Sequence, residues 1–112
     1  MLPRKYRLTK RKDFEALFRH GRSFSTKEFS LKFGRNGLTD TRVAVSVSKK
    51  FSKKAVERNA ARRKVREIFR LNFACIKQGF DILFVARIPM RGMTYHEISA
   101  LLLTAFKNAR LL

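Results

Sequence analysis

The segment Lys53–Arg66, KKAVERNAARRKVR, carries seven basic side chains and one acid in fourteen residues and runs directly into an apolar helical periodicity. At about 100° per residue, Ala61, Val65, Ile68, Phe69, Phe73 and Ile76 share one broad face. The spacing predicts a helix over about residues 57–77, and its apolar face must pack on a partner. Arg62, Arg66, Asn59, Arg70 and Arg63 fall within about 100° of arc beside that face and not opposite it. A helix of this kind needs a sheet or other helices beneath it, and it lays a strip of cations along the edge of the contact.

The rest of the chain supplies those partners. Thr9 is a candidate N-cap, followed by Phe14, Leu17 and Phe18 at helical spacing and closed by Gly21 at a C′ position, which predicts a helix over about residues 10–20. Two segments alternate with period two: Phe29, Leu31 and Phe33 against Ser30 and Lys32, then Val43, Val45 and Val47 against Ala44, Ser46 and Ser48. Asn36-Gly37 between them reads as a turn, so the pair is expected to form an antiparallel hairpin with a long loop. Ser23–Thr26 is a brief further strand candidate. Gly79 closes the second helix, and Phe80–Ala86, apolar except for Asp81, reads as a central strand covered on both sides. After the breaks at Pro89 and Gly92, Thr94 and Glu97 form a capping box ahead of Ile98, Leu101, Leu102, Ala105 and Phe106, so a third helix runs to about Arg110. The residues alone therefore give the order α-β-β-α-β-α, an α+β sandwich in one domain.

Charge narrows the partner. With 27 Lys+Arg against 8 Asp+Glu the net charge is +19 in 112 residues, and an acidic polyelectrolyte is the natural counter-charge. A membrane surface fits less well, because the apolar helical face is needed in the core. At 45% hydrophobic with eleven Phe, the chain is rich enough to build that core. Cys75 stands alone, which excludes a disulfide framework or a cysteine metal site. Neither a signal peptide nor a membrane span is legible, so a cytoplasmic location without a membrane partner is expected. No catalytic constellation emerges: Asp13, Asp40 and Asp81 are isolated, His20 and His96 lie far apart, and Gly34, Gly37 and Gly92 match no phosphate loop. Binding, without metal or catalytic residues of its own, is the expected role.

Three places suit nucleic acid. The strip at Arg62, Arg63, Arg66, Arg70 and Asn59 suits phosphate tracking, since guanidinium forks bind phosphate oxygens bidentately. Phe14 and Phe18, with Arg11 and Arg22 near the helix ends, place rings among cations where unpaired bases could stack; an i, i+4 pair of Phe equally suits a core. Ala44, Ser46 and Ser48, followed by Lys49 and Lys50, leave a shallow surface open to close approach by a helix or by a nucleic acid backbone.

Ala55-Val56-Glu57-Arg58-Asn59, continuing Ala60-Ala61-Arg62-Arg63-Lys64-Val65-Arg66-Glu67, closely resembles the signature of the bacterial ribonuclease P protein subunit. Arg11-Lys12-Asp13-Phe14 with Phe18 and Gly21, Ser46-Val47-Ser48-Lys49-Lys50, and Gly79-Phe80-Asp81-Ile82 extend the likeness over nearly the whole chain. The resemblance implies an α-β-β-β-α-β-α fold with a left-handed β-α-β crossover, against the general right-handed rule. It implies a protein cofactor for an RNA enzyme that removes the 5′ leader of precursor tRNA with Mg²⁺ bound mainly by the RNA, and it calls for no obligate protein partner. By the same resemblance, Lys53, Lys54, Arg58, Asn59, Arg62, Arg63, Arg66 and Arg70 would dock on ribonuclease P RNA. Arg11, Phe14, Phe18, Lys32, Ser46, Ser48, Lys49, Lys50 and Arg87 would hold the single-stranded leader. Two positions depart from the pattern: Ala60 stands where many members have a second Arg, and Lys32 where some have an aromatic. The competing readings are a structural ribosomal RNA-binding protein and, ranked lowest for want of a helix-turn-helix or basic-zipper pattern, a DNA-binding protein.

Overall fold

A computed structural model describes residues 2–112. The chain forms α1 (Arg11–His20), β1 (Arg22–Ser25), β2 (Phe29–Arg35), β3 (Arg42–Ser46), α2 (Ala55–Asn72), β4 (Phe80–Ala86) and α3 (Tyr95–Asn108), with short 3₁₀ turns at Arg4–Tyr6, Phe73–Cys75 and Ile88–Met90. This is the mixed α+β architecture, with the third strand at Arg22–Ser25 where a brief strand was expected at Ser23–Thr26.

The expected hairpin does not form. The four strands lie in the order β1-β2-β4-β3, so β4 separates β2 from β3. It pairs antiparallel with β2, from Phe29↔Ala86 to Arg35↔Phe80, and parallel with β3, from Arg42↔Asp81 to Ser46↔Val85. The physical reason lies in β4, which is apolar on both faces: Ile82, Phe84 and Ala86 alternate with Leu83 and Val85, and only a central position buries both sets. Val43 and its neighbours gain more by pairing with that strand than by closing a local loop, and α2 makes the crossover between the two parallel partners. Gly37 keeps its turn, at φ 72°.

The helices divide between the two faces. Ala61, Val65, Ile68 and Phe69 of α2 and Ile98, Leu102, Ala105 and Phe106 of α3 are buried in one core with Phe29, Leu31, Phe33, Ile82 and Phe84. Phe69 and Phe106 meet at 5.4 Å between ring centroids, and Phe29 stacks on Phe84 at 5.0 Å. On the other face Leu17 of α1 joins Leu8 and Leu83 in a smaller cluster, with Phe14, Ala44 and Val85 packed against it.

Helix boundaries moved where polar side chains competed for the backbone. The second helix starts at Ala55, because the Ser52 hydroxyl accepts the Lys54 N–H at 3.2 Å and donates to Glu57. It stops at Asn72, not 77: the Asn72 amide donates to the Ile68 carbonyl at 2.8 Å as the backbone leaves helical angles. Phe73 then packs on Tyr6 at 4.5 Å, and Ile76 is buried after the turn. Gly79 therefore turns the chain into β4, at φ 86°, and does not cap the helix.

Thr9 is likewise not the N-cap of α1. Lys10 takes that position without a side-chain bond, because Leu8 is drawn to the sheet edge by its N–H donating to the Val43 carbonyl at 3.0 Å. Gly21 follows α1 in extended conformation, φ −76°, so its role is close approach: a Cβ there would lie 2.4 Å from the Leu17 carbonyl oxygen. At α3 the capping box forms in both halves, with Thr94 accepting the Glu97 N–H at 3.2 Å and Glu97 accepting the Thr94 N–H at 2.9 Å. These bonds hold the Glu97 carboxyl below its ordinary range.

Candidate nucleic-acid interface

β3 is an edge strand, and the side of α2 that carries Arg62 lies against the chain leaving that strand, while Arg63 and Arg66 line a hollow with Tyr95 at the start of α3. Arg62 joins helix and chain. Its Nη2 donates to the Val47 carbonyl at 3.0 Å and its Nη1 to Asn59 Oδ1 at 2.7 Å. Arg58 is also tied back, donating to the Ser52 carbonyl at 2.9 Å. Arg63 and Arg66 point to solvent, as do Lys53 and Lys54 at the helix start. Arg70 is engaged by Glu67, whose oxygens accept from both Nε and Nη2. That bond holds the Glu67 carboxyl below its usual range, and both side chains stay partly exposed. Glu57 is also held low, first by the Ser52 hydroxyl and then by Arg91 and Lys54.

The open part of the opposite face forms a hollow of about 450 Å³. Leu83, Val85, Ala44 and Ser46 line its floor, Phe14 and Phe18 one wall, and Arg62 the other. The small residues of β3 thus do leave room, and α1 fills only part of it. The two rings differ: Phe14 is half-buried against the Leu17 cluster, whereas Phe18 is 59% exposed. The choice left open by periodicity resolves into one ring of each kind. Lys32 enters from β2, with its ammonium 5.7 Å from the centre of the Phe18 ring.

Other expected leader contacts lie outside this hollow. Ser48, Lys49 and Lys50 are exposed in the turn after β3. Arg87 is exposed just beyond β4, its N–H donating to the Glu28 carbonyl at 3.0 Å. Arg11 sits at the far end of α1 in an exposed pair with Glu15 at 3.0 Å.

One constellation escaped the sequence. Arg42 donates to Asp81 through both Nε and Nη2, at 2.9 and 2.8 Å, and through Nη1 to Asp13 at 3.1 Å. Asn36 adds a bond to Asp81 Oδ1 at 3.0 Å. Carboxylates that look isolated along the chain converge here, and the Asp81 bond raises the Arg42 pKa above its ordinary value. The only local signal was a charge inside the apolar run of β4, which must find a partner when buried. Through Asp13 this network ties the start of α1 to the sheet and so fixes one wall of the hollow.

Both convergent carboxylates are committed to Arg42. Among the described residues no group of three or more His, Cys, Asp or Glu comes together to hold a metal ion. No helix among the described residues is long and apolar enough to cross a membrane.

The ribonuclease P family model matches residues 2–110. The chain belongs to the ribonuclease P protein family. The ribonuclease P protein component of Clostridioides difficile is 40% identical over 92 residues, covering 81% of this chain and 80% of its own. That of Thermotoga maritima is 43% identical over 84 residues, covering 75% and 71%. The solved structure of the Staphylococcus aureus RNase P protein superposes with a TM-score of 0.86 at 33% identity, over 95% of this chain and 96% of that one. The Thermotoga maritima RNase P protein gives 0.82 at 35% identity, over 91% and 96%. The four-stranded sheet with three helices is thus the fold of the ribonuclease P proteins. In this member of the family the signature Asn59 and Arg62 bond to each other, and Ala60 faces a separate hollow lined by Phe51, Lys64 and Met93.

Proposed function

We propose that this chain is the protein subunit of a ribonuclease P ribonucleoprotein, docking on the catalytic RNA along α2 and holding the 5′ leader of precursor tRNA in the hollow beside α1. The observation that carries the reading is Arg62, which links the exposed cationic strip to a hollow walled by an exposed aromatic ring. Phosphates of the catalytic RNA would follow Arg63, Arg66, Lys53 and Lys54, while an unpaired base stacks on Phe18 with Lys32 neutralising the adjoining phosphate. Leader and catalytic RNA would then meet across the edge of β3, each orienting the other.

In this reading the chemistry of leader removal, and the Mg²⁺ it uses, belong to the RNA. The protein contributes positive charge and position: it offsets phosphate repulsion where two RNAs approach, and it adds contacts that precursor tRNA has and mature tRNA lacks.

The docking half is tested by salt dependence. R63Q/R66Q removes two exposed cations without touching the core, so the slope of log affinity for ribonuclease P RNA against log salt should flatten by about one to two units. An unchanged slope would exclude phosphate contact by this strip.

A further inference from the structure

We propose that a second phosphate-binding site lies at the other end of the sheet, where β2 ends and β4 begins, and that it takes backbone phosphates of an RNA segment distinct from the one tracked by α2. A hollow of about 290 Å³ opens there, between the end of α1, the starts of β1 and β4 and the turn that follows α3. His20, Arg22, Arg35, Lys77 and Arg110 line it together with Phe80, and no acid does. All five titratable residues are exposed.

Cations gathered from so many elements repel one another unless something neutralises them. The chain does not supply it, for none of its eight acids lines the hollow and seven of them are engaged elsewhere. Asp13 and Asp81 hold Arg42, Glu15 pairs with Arg11, Glu28 with Lys27, Glu67 with Arg70 and Glu57 with Arg91. Glu97 caps α3, and Asp40 does not line the hollow. Among the described residues, Arg22, Arg35, Lys77 and Arg110 form no salt bridge.

Helix capping does not account for the cluster either. Basic residues often gather at a helix C-terminus to meet its free carbonyls. Here the carbonyls of Ala105, Phe106 and Lys107 already accept the backbone N–H groups of Ala109, Leu111 and Arg110 at 2.8, 2.8 and 3.1 Å.

Two details suit the site to phosphate. Arg35 lies over the Phe80 ring at 5.2 Å, a cation–π contact that restrains the guanidinium where both residues line the hollow. Arg110 has φ 59°, a conformation that glycine adopts far more readily, yet the position carries a cation. The turn buries Leu111 completely while leaving Arg110 on the rim. The hollow faces away from the aromatic one, since Arg35 and Phe80 pair at the end of the sheet remote from Val85 and Ser46.

The inference rests on RNA as the partner, as proposed above, and is independent of which surface docks first. The test uses the variant R22Q/R110G, in which both changes are on exposed positions and glycine relieves the backbone at 110. Binding to a bacterial ribonuclease P RNA is measured across a salt series beside wild type, R63Q/R66Q and R22K/R110G, which keeps the charge at 22 and lacks the one at 110. The expected result is a slope flattened by about one to two units in R22Q/R110G and about one unit of recovery in R22K/R110G. Preference for precursor over mature tRNA should stay unchanged. A wild-type slope in R22Q/R110G overturns the site, and if R63Q/R66Q still flattens the slope the α2 reading survives alone. Flattening in R22Q/R110G but not in R63Q/R66Q supports the site and removes the α2 reading. No effect of either pair overturns both. Equal loss of affinity in R22Q/R110G and R22K/R110G at an unchanged slope marks a conformational effect and also overturns the site.

Discussion

Asp81→Ala is expected to destabilise the protein by about 3 kcal/mol, the cost of removing the main counter-ion of the largely buried Arg42 side chain. Asp81 is 6% exposed, and it takes both forks of the Arg42 guanidinium as well as the Asn36 amide. Without it Arg42 keeps only the single bond to Asp13, and the Asn36 amide loses its side-chain acceptor. The urea unfolding midpoint should fall with little change in slope, since the surface exposed on unfolding is nearly the same. Replacing both partners, as D81L/R42L, should recover part of the loss, because Asp13 is then the one member of the network left without its ion pair. If Asp81→Ala costs less than about 1 kcal/mol, the network is ordinary surface pairing and not what fixes α1 on the sheet.

Phe18→Ala is expected to lower the preference for precursor over mature tRNA by about tenfold, which corresponds to one base stacked on the ring. Stability should hardly change, because the ring is 59% exposed and its loss opens no cavity in the core. Binding of both tRNAs to the ribonucleoprotein, measured at fixed salt, gives the ratio directly. Phe14→Ala is the useful contrast: its ring packs against Leu17 and Leu83, so its removal should cost stability as well. A Phe18→Ala protein with an unchanged ratio would take the leader out of this hollow.

These expectations also mark how far the sequence could be read. Helical spacing found all three helices, and the Thr94–Glu97 capping box formed as its spacing required, because such signals are local. The doubly apolar run Phe80–Ala86 announced a central strand. Strand pairing was harder: Asn36-Gly37 suggested a hairpin, but adjacency in sequence lost to the gain of covering β4 on both sides. The wheel of the second helix placed its cations beside the packed face, and in the structure Arg62 reaches the chain leaving β3 while Arg63 and Arg66 line a hollow with Tyr95. It could not show that Arg62 would reach Val47, fifteen residues away, or that Glu67 would occupy Arg70. The Arg42 network joins residues 29 to 45 positions apart and left no trace beyond one acid in an apolar strand. The basic hollow at Arg22, Arg35, Lys77 and Arg110 is assembled only by the fold, since those residues are scattered singly along the chain.

The central claim is that this protein assists an RNA enzyme by holding the leader of its substrate. It is tested most directly by adding the purified protein to a bacterial ribonuclease P RNA at a Mg²⁺ concentration where the RNA alone is slow, and following removal of the 5′ leader from precursor tRNA. The expected result is strong stimulation by the wild-type protein, weaker stimulation by Phe18→Ala, and no leader removal by protein without RNA. Folded protein that fails to stimulate any of several such RNAs would contradict the account.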